Sequence, residues 1–177
     1  MPRLRGEYRE AREIAEILLQ EAGADARGAE VGTLRRMLGL VHLYQGNLKE
    51  AQSILEREAT EFQLGPAGHV TAAAFLALTE WHLGETERAR QSIERAIQRA
   101  DETANAASIG TALFFRTVLE SRRDDVSATR LAADGLLEVS ERYGLKTYSH
   151  HVFDIGMPSE VQLLLDRLGE PVSVVIM

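Results

Sequence analysis

The chain has 177 residues, of which 45% are apolar and 27% charged, with a formal net charge of −7 and no cysteine. The acidic balance argues against non-specific nucleic-acid binding, which needs dense Lys and Arg. The lack of cysteine excludes disulfides, thiolate catalysis and Cys-ligated metals. No apolar run approaches the roughly 20 residues of a membrane span. We therefore expect a cytoplasmic protein with no membrane or nucleic-acid partner.

A short sequence pattern recurs along the chain and predicts internal repetition. The stretch GEYREA begins at Gly6, and it returns as GNLKEA from Gly46 and GETERA from Gly84. A fourth copy, RDDVSA, begins at Arg123 and keeps the Ala but has Arg in place of the Gly. The three intervals between these starting points are nearly equal, at about 39 residues, and they indicate a repeat protein.

Each repeat unit is expected to hold two helices, with the Gly ending the first helix in a left-handed conformation. Apolar side chains at helical spacing predict six helices, at residues 31–45, 48–62, 70–83, 85–101, 107–122 and 125–143. Small residues are expected where paired helices approach closely. These residues are Gly39 and Ala77 on the first helices, and Ala51, Ala89 and Ala128 on the second helices.

Both ends of the chain depart from this pattern. The N-terminal segment predicts one amphipathic helix, with Gly6 as a joint that lacks a preceding first helix. This leaves four apolar residues uncovered unless something packs on them: Ile14, Ala15, Ile17 and Leu18. Ser159 could cap a short C-terminal helix, and the final residues PVSVVIM are the only strand candidate.

The predicted organisation is a helical repeat domain over residues 1–157, followed by a C-terminal helix and apolar tail over residues 158–177. The units lie near residues 1–30, 31–69, 70–106 and 107–147, with a partial last unit.

The helical pattern resembles the tetratricopeptide repeat (TPR). The residues that match its signature are Leu38, Gly39, Gly46, Ala51 and Leu55, and again Leu76, Gly84, Ala89 and Ala96. The period of about 39 residues departs from the standard period of about 34, as does the missing Pro between units. The resemblance implies an all-α fold, a right-handed superhelical stack of TPR-like helix-turn-helix units.

A second resemblance covers roughly residues 6–155. The stretches LGLVHLYQGNLKEAQSILEREATEF and FLALTEWHLGETERARQSIERAI are similar to the C-terminal repeat region of bacterial class III adenylate/guanylate cyclases. In that family, a cyclase domain and an ATPase-type module precede the repeats. The resemblance implies that any cyclase or ATPase activity resides in sequence outside this chain.

The residues themselves suggest no catalytic, cofactor or metal site. The sequence has no phosphate-binding Gly-Lys-Ser/Thr motif, and GPAG at residues 65–68 is expected to be a linker. His150 and His151 are adjacent, and adjacent helical residues point about 100° apart, so they are poor joint ligands. The same objection applies to Glu80 with His82. We expect a non-enzymatic chain without a cofactor.

The expected binding site is a concave groove lined by the first helices, which would take a peptide or partner helix. Its predicted contact residues are Arg36, Leu40, Tyr44, Leu78, Trp81, His82, Thr117 and Glu120. Trp81 is the sole tryptophan, and aromatic residues dominate binding hot spots; packing between neighbouring helices is the alternative role for it. Two other functions stay open: a homodimer through the N-terminal half-unit or the C-terminal tail, and a small-molecule-sensing domain.

Overall fold

The computed structural model describes residues 2–23, 28–60, 65–123 and 125–143, and these residues form seven α-helices and no strand. The helices are α1 (Pro2–Ala22), α2 (Ala29–Gln45), α3 (Leu48–Thr60), α4 (Pro66–His82), α5 (Thr86–Thr103), α6 (Ala106–Arg122) and α7 (Val126–Tyr143). The all-α prediction is confirmed for this part of the chain. The predicted C-terminal helix and tail, residues 158–177, lie outside the described residues.

The helices belong to two compact units, Met1–Thr103 and Ala104–Met177. In the first unit each helix packs against the next one in the chain, and α2 also contacts α4. In the second unit α6 packs against α7. Neighbouring helices in packed pairs are compatible with a helical repeat. None of the described helices is both long and apolar enough to cross a bilayer.

The turns after α2 and α4 are closed in the same way by a left-handed glycine. Gly46 has φ 81° and Gly84 has φ 78°, values that are accessible to Gly without steric cost. At the first turn, the Asn47 amide donates to the His42 carbonyl at 2.9 Å. At the second turn, the Glu85 amide donates to the Glu80 carbonyl at 2.9 Å. These bonds are typical of the Schellman motif, and the predicted left-handed helix ends are confirmed.

The turn after α6 lies one position later than predicted by the alignment of the internal repeats, which placed Arg123 at the position of Gly84. Here the Asp125 amide donates to the Glu120 carbonyl at 3.3 Å, so Asp125 is the equivalent of Asn47 and Glu85. The buried positions of α5 and α7 follow the same alignment of Glu85 with Asp125. They are Ser92, Ile93, Ala96 and Ala100 in α5, and Ala132, Ala133, Leu136 and Ser140 in α7. Ala128 is accordingly only half-buried, because Thr129 takes the position of Ala89.

The largest differences from the sequence prediction lie at the start of α1 and at the start of α4. Helix α1 runs without interruption through Gly6, so Gly6 is not a joint. A single Gly in a helix costs only about 1 kcal/mol relative to Ala, and the residues around it sustain the helix. Helix α4 starts at Pro66, within the predicted GPAG linker, with Gly65 as its N-cap. Pro at the first helical position is pre-organised, but small residues in a first turn give no apolar pattern to detect.

The core of the first unit centres on α4, which packs against both α3 and α5. All residues from 72 to 80 of this helix are buried. Leu55 of α3 is fully buried, and Gly39 of α2 lies directly over it. A Cβ atom at position 39 would lie 2.9 Å from Leu55 Cγ, so the small residue predicted at this contact is required for the close approach.

Candidate functional site

Helices α2 and α4, which contact each other in the first unit, each end in aromatic or imidazole side chains. Tyr44 lies in the last turn of α2, and Trp81 and His82 lie in the last turn of α4. Tyr44 and His82 are equivalent residues, each two positions before the left-handed glycine that closes its turn. Tyr44 and Trp81 are half-buried, and His82 is exposed. We name Tyr44, Trp81 and His82 the aromatic edge.

Helix α1 covers the α2 end of the aromatic edge. The ring of Tyr8 stacks on the ring of Tyr44, with centroids 5.2 Å apart and planes 13° from parallel. Burial raises the pKa of the Tyr44 hydroxyl to about 12, and the neighbouring Tyr8 adds to this effect. The ring of Tyr8 therefore covers part of the Tyr44 ring. The more accessible part of the aromatic edge consists of Trp81 and His82.

Polar side chains continue this contact at the turn between α2 and α3. Arg12 donates from Nη1 to Gln45 Oε1 at 3.4 Å, and Asn47 donates from Nδ2 to the same oxygen at 3.3 Å. Burial lowers the pKa of His42, and the nearby charge of Arg12 lowers it further. His42 therefore favours its neutral form, in which Nδ1 lies 3.3 Å from Asn47 Nδ2.

Three further residues of the predicted groove lie in the interior of the first unit. Leu40 and Leu78 are 4% and 1% exposed, and they fill space between packed helices. Arg36 is 5% exposed, and burial lowers its pKa while the charge of Glu58 on α3 raises it. These side chains offer little surface to a partner molecule, so any role they have at the groove is to support the helices that form it.

The remaining two predicted groove residues lie on α6, in the second unit, and both are buried. Alignment of Arg123 with Gly84 assigns Thr117 and Glu120 to the positions of Leu78 and Trp81. The observed turn geometry shifts this alignment by one position, and it makes Glu120 equivalent to Glu80. The residues that correspond to Trp81 and His82 are instead Ser121 and Arg122, both half-buried.

A network of charged and polar side chains joins α3, α4 and α5, with Arg88 at its centre. The Arg88 guanidinium contacts three carboxylates: Glu56 at 2.9 Å, Glu80 at 3.2 Å and Glu85 at 3.2 Å. The carboxylate of Glu85 also accepts from Lys49 at 2.8 Å and from Gln52 at 2.6 Å. Because these groups come from three helices and the turn that precedes α5, the network holds α3, α4 and α5 in one arrangement.

Glu80 is the most buried member of this network, with no solvent exposure. Ser92 donates to Glu80 Oε2 at 2.7 Å, and Arg95 donates to the Ser92 hydroxyl at 2.9 Å. Burial raises the pKa of the Glu80 carboxyl, against the opposing effects of the Ser92 hydrogen bond and of the Arg88 and Arg95 charges. The carboxyl is enclosed by packed helices, so it lies within the fold and does not face a ligand.

Sequence reasoning missed this network, although a signal for it was present. The run Glu85, Glu87, Arg88, Arg90 is typical of a solvated helix face, and Arg88 and Arg90 are indeed exposed. The informative residue is Glu80, a lone carboxylate in the apolar stretch FLALTEWHL. A buried carboxylate needs a cationic or hydrogen-bonding partner, and the nearest candidate on the next helix is the exposed Arg88.

No group of three or more His, Asp or Glu side chains among the described residues is arranged to hold a metal ion. Glu80 and His82 are not placed to bind one metal ion together, because Glu80 is buried in the network and His82 is exposed. His150, His151 and Asp154 lie outside the described residues.

A scan against protein-family models finds no family that matches the chain, and a search of curated proteins finds no similar sequence.

Proposed function

We propose that this chain is a non-enzymatic interaction module that binds a peptide or a partner helix along the layer of first helices, with Trp81 and His82 as its main contacts. The finer architecture we propose is a right-handed, TPR-like superhelical stack. Packed helices with matching glycine turns support this proposal. Recognition in such a layer relies on a preformed surface, which keeps the ordering cost of binding low.

The observation that carries the proposal is the position of Trp81. The residues before it, from 72 to 80, are all buried, whereas Trp81 keeps part of its surface open to solvent and His82 is exposed. Tryptophan combines a large apolar ring with one N–H donor, and it is enriched at binding hot spots. The carboxylate that lies nearest in sequence, Glu80, is already engaged by Ser92 and Arg88. This arrangement suits recognition better than acid–base chemistry.

We also propose that the module serves a bacterial signalling protein of the class III adenylate/guanylate cyclase type. The support for this proposal is the likeness of the repeat sequences to the C-terminal repeats of those proteins. Any cyclase or ATPase chemistry would then belong to other domains, with the present chain supplying a regulatory contact.

Selection from a displayed library of short tryptophan-free peptides tests the proposed binding surface. Trp81 is the only tryptophan in the sequence, so binding of a selected peptide should shift its intrinsic fluorescence. The double substitution Trp81→Ala, His82→Ala should weaken binding at least about tenfold, measured by anisotropy of labelled peptide.

Tyr143→Ala is the matched control, because Tyr143 is an aromatic residue at the end of α7 that is 52% exposed. It should leave the affinity unchanged, and circular dichroism should report native helicity for both variants. Selected peptides that bind the double variant as tightly as the unaltered chain would contradict the proposed site.

A further inference from the structure

Helix α1 occupies the same place relative to α2 that α3 occupies relative to α4. The sequence pattern aligns Gly6 of α1 with Gly46, and the observed turn geometry aligns Asn47 with Glu85, so that α1, α3 and α5 correspond. Position 11 of α1 thus corresponds to Ala51 and Ala89, and position 18 corresponds to Glu58 and Ala96. Both α3 and α5 are packed against the first helix that precedes them, α2 and α4 respectively.

Two residues of α1 that correspond to covered positions in α3 and α5 are exposed. Ala51, Ala89, Glu58 and Ala96 are at most 1% exposed. Their counterparts on α1 are Ala11, which is exposed, and Leu18, which is 42% exposed. Ile14 on the same face is 52% exposed, and its counterparts are the half-buried Ile54 and the buried Ser92. Ile17 is 54% exposed and lies at the rim of this face, since its counterparts Arg57 and Arg95 are exposed. The apolar face of α1 therefore has the residue types of a helix-packing surface, and among the described residues no helix covers it.

Helix α2 also exposes a large apolar residue at a position that is buried in the corresponding helix α4. Met37 of α2 corresponds to Phe75 of α4, since the turns that follow these helices align Asn47 with Glu85. Phe75 is 5% exposed, whereas Met37 is 46% exposed. A large apolar residue is thus covered at this position in α4 and uncovered in α2.

We propose that α1 and α2 form an acceptor site for one further helix, supplied by a partner protein as an amphipathic helix with basic flanks. The contact residues on this chain are Ile14, Leu18 and Met37, with Ile17 at the rim. The incoming helix would pack on α1 as α2 packs on α3. The site shares no contact residue with the aromatic edge, so it adds a second binding surface to the proposed function.

Charge complementarity identifies the kind of helix that fits. Glu10 lies one turn before Ile14 and Glu21 lies one turn after Ile17, and both are exposed. The cationic Arg12, by contrast, is turned towards α2, where it contacts Gln45. A partner with Lys or Arg at the two ends of its apolar stripe would meet these carboxylates, so salt should weaken its binding.

The same charges disfavour a second copy of this chain as the occupant. In an antiparallel pairing of two α1 helices about Ile14 and Ile17, Glu10 of one copy would face Glu21 of the other. In a parallel pairing, each carboxylate would face its own counterpart. Both arrangements place like charges together, which is destabilising at helix contacts.

A peptide with the sequence of α2 is a suitable probe, because α2 covers the equivalent surface of α3. In the fold, its Gly39 lies against Ile54 and Leu55, whose counterparts on α1 are Ile14 and Ala15. Arg36 of α2 interacts with Glu58, the counterpart of Leu18. On α1, the peptide's Arg35 and Arg36 would therefore lie near Glu21. The peptide has no other Lys or Arg, so it supplies one of the two basic flanks and leaves Glu10 unmatched.

The experiment measures anisotropy of the labelled peptide with the full chain at low salt. We expect saturable binding that weakens at least about tenfold in the variant Ile14→Glu, Leu18→Glu. The control Leu131→Glu introduces the same charge at a 71% exposed position of α7 and should bind normally. Glu21→Lys, or Arg35→Glu with Arg36→Glu in the peptide, should also weaken binding.

Three results would overturn the proposal. The first is no saturable binding of the peptide, and the second is equal binding by the Ile14→Glu, Leu18→Glu variant. The third is a dimer in light scattering that the same variant converts to a monomer, because a second copy would then be the occupant. Trp81→Ala with His82→Ala should leave peptide binding intact, which separates this site from the aromatic edge.

Discussion

At the residue scale, Gly39 determines how closely α2 and α3 approach. A Cβ atom there would lie 2.9 Å from Leu55 Cγ, 3.0 Å from Leu55 Cδ2 and 3.2 Å from Ile54 Cγ2. Leu55 is fully buried, so its branch point has no free space to move into. The glycine therefore lowers the intrinsic stability of helix α2 and, in exchange, allows the backbone to pack on a leucine.

We predict that Gly39→Ala lowers the stability of the protein. Overpacking of a core costs about 1–3 kcal/mol, and the better helix propensity of Ala returns about 1 kcal/mol, so the net loss should be about 1 kcal/mol. Gly135→Ala is the matched control on α7, because its nearest contact would be an ordinary 3.7 Å to Leu113. That change should raise stability by up to about 1 kcal/mol. Thermal unfolding followed by circular dichroism measures both, and a more stable Gly39→Ala variant would contradict the packing account.

Glu80 and Glu85 share one network but respond to pH in opposite directions. Burial raises the folded-state pKa of Glu80, so the folded protein binds its proton more tightly than the unfolded chain does. Its contribution to stability is then fully present below the unfolded pKa, near 4.5, and is lost as the pH rises through the folded pKa. Hydrogen bonds from Lys49 and Gln52 lower the pKa of Glu85, so its contribution is present above the unfolded pKa and is lost as the pH falls through the folded pKa.

Glu80→Gln and Glu85→Gln should therefore change the pH dependence of stability with opposite signs. As the pH rises from 4.5, the unaltered protein should lose stability relative to Glu80→Gln. As the pH falls below 4.5, it should lose stability relative to Glu85→Gln. Urea unfolding at a series of pH values gives both curves. Parallel profiles for the unaltered protein and Glu80→Gln would show that the buried carboxyl does not titrate as inferred.

At the scale of elements, α1 is held to the fold by its packing against α2. The stacked rings of Tyr8 and Tyr44 form an aromatic contact between the two helices, and Arg12 with Gln45 adds a polar contact. Of the apolar side chains in the middle of α1, Ala15 is buried, whereas Ile14 and Ile17 remain open. The helix is thus docked on the face that carries Tyr8, Arg12 and Ala15.

We predict that Tyr8→Ala loosens α1 without unfolding the other helices of the first unit. Loss of the stacked ring should cost about 1–3 kcal/mol of docking energy, because both ring burial and the aromatic contact are removed. Hydrogen exchange should become faster in α1 and stay slow in α4 and α5. Tyr8→Phe keeps the ring and should exchange like the unaltered protein; unchanged protection of α1 in Tyr8→Ala would mean that other contacts hold the helix.

The sequence predicted most helix boundaries closely, because apolar periodicity and terminal glycines mark them directly. It predicted the start of α4 at Val70 rather than at Pro66. Pro66, Ala67 and Gly68 form the first helical turn, and they carry no apolar pattern that would mark it as helix. It also placed the turn of the fourth repeat one position too early, at Arg123. Arg123 carries no signal of a left-handed turn, and only the hydrogen bond from Asp125 to Glu120 fixes the alignment there.

At the scale of the whole molecule, the sequence alone determined the all-α class, the helix pairing and the two glycine turns. These features follow from local rules, since helical periodicity and the conformational freedom of glycine act within a few positions of the chain.

Only the tertiary structure decided which groove residues face solvent. Leu40 and Leu78 share a helix face with candidate contacts but are buried, and Tyr44 is stacked beneath Tyr8. It also brought Arg88 to three carboxylates from different elements and left the apolar face of α1 open. The physical reason is that exposure and ion pairing depend on which helices become neighbours, and helical periodicity specifies a face but not what covers it.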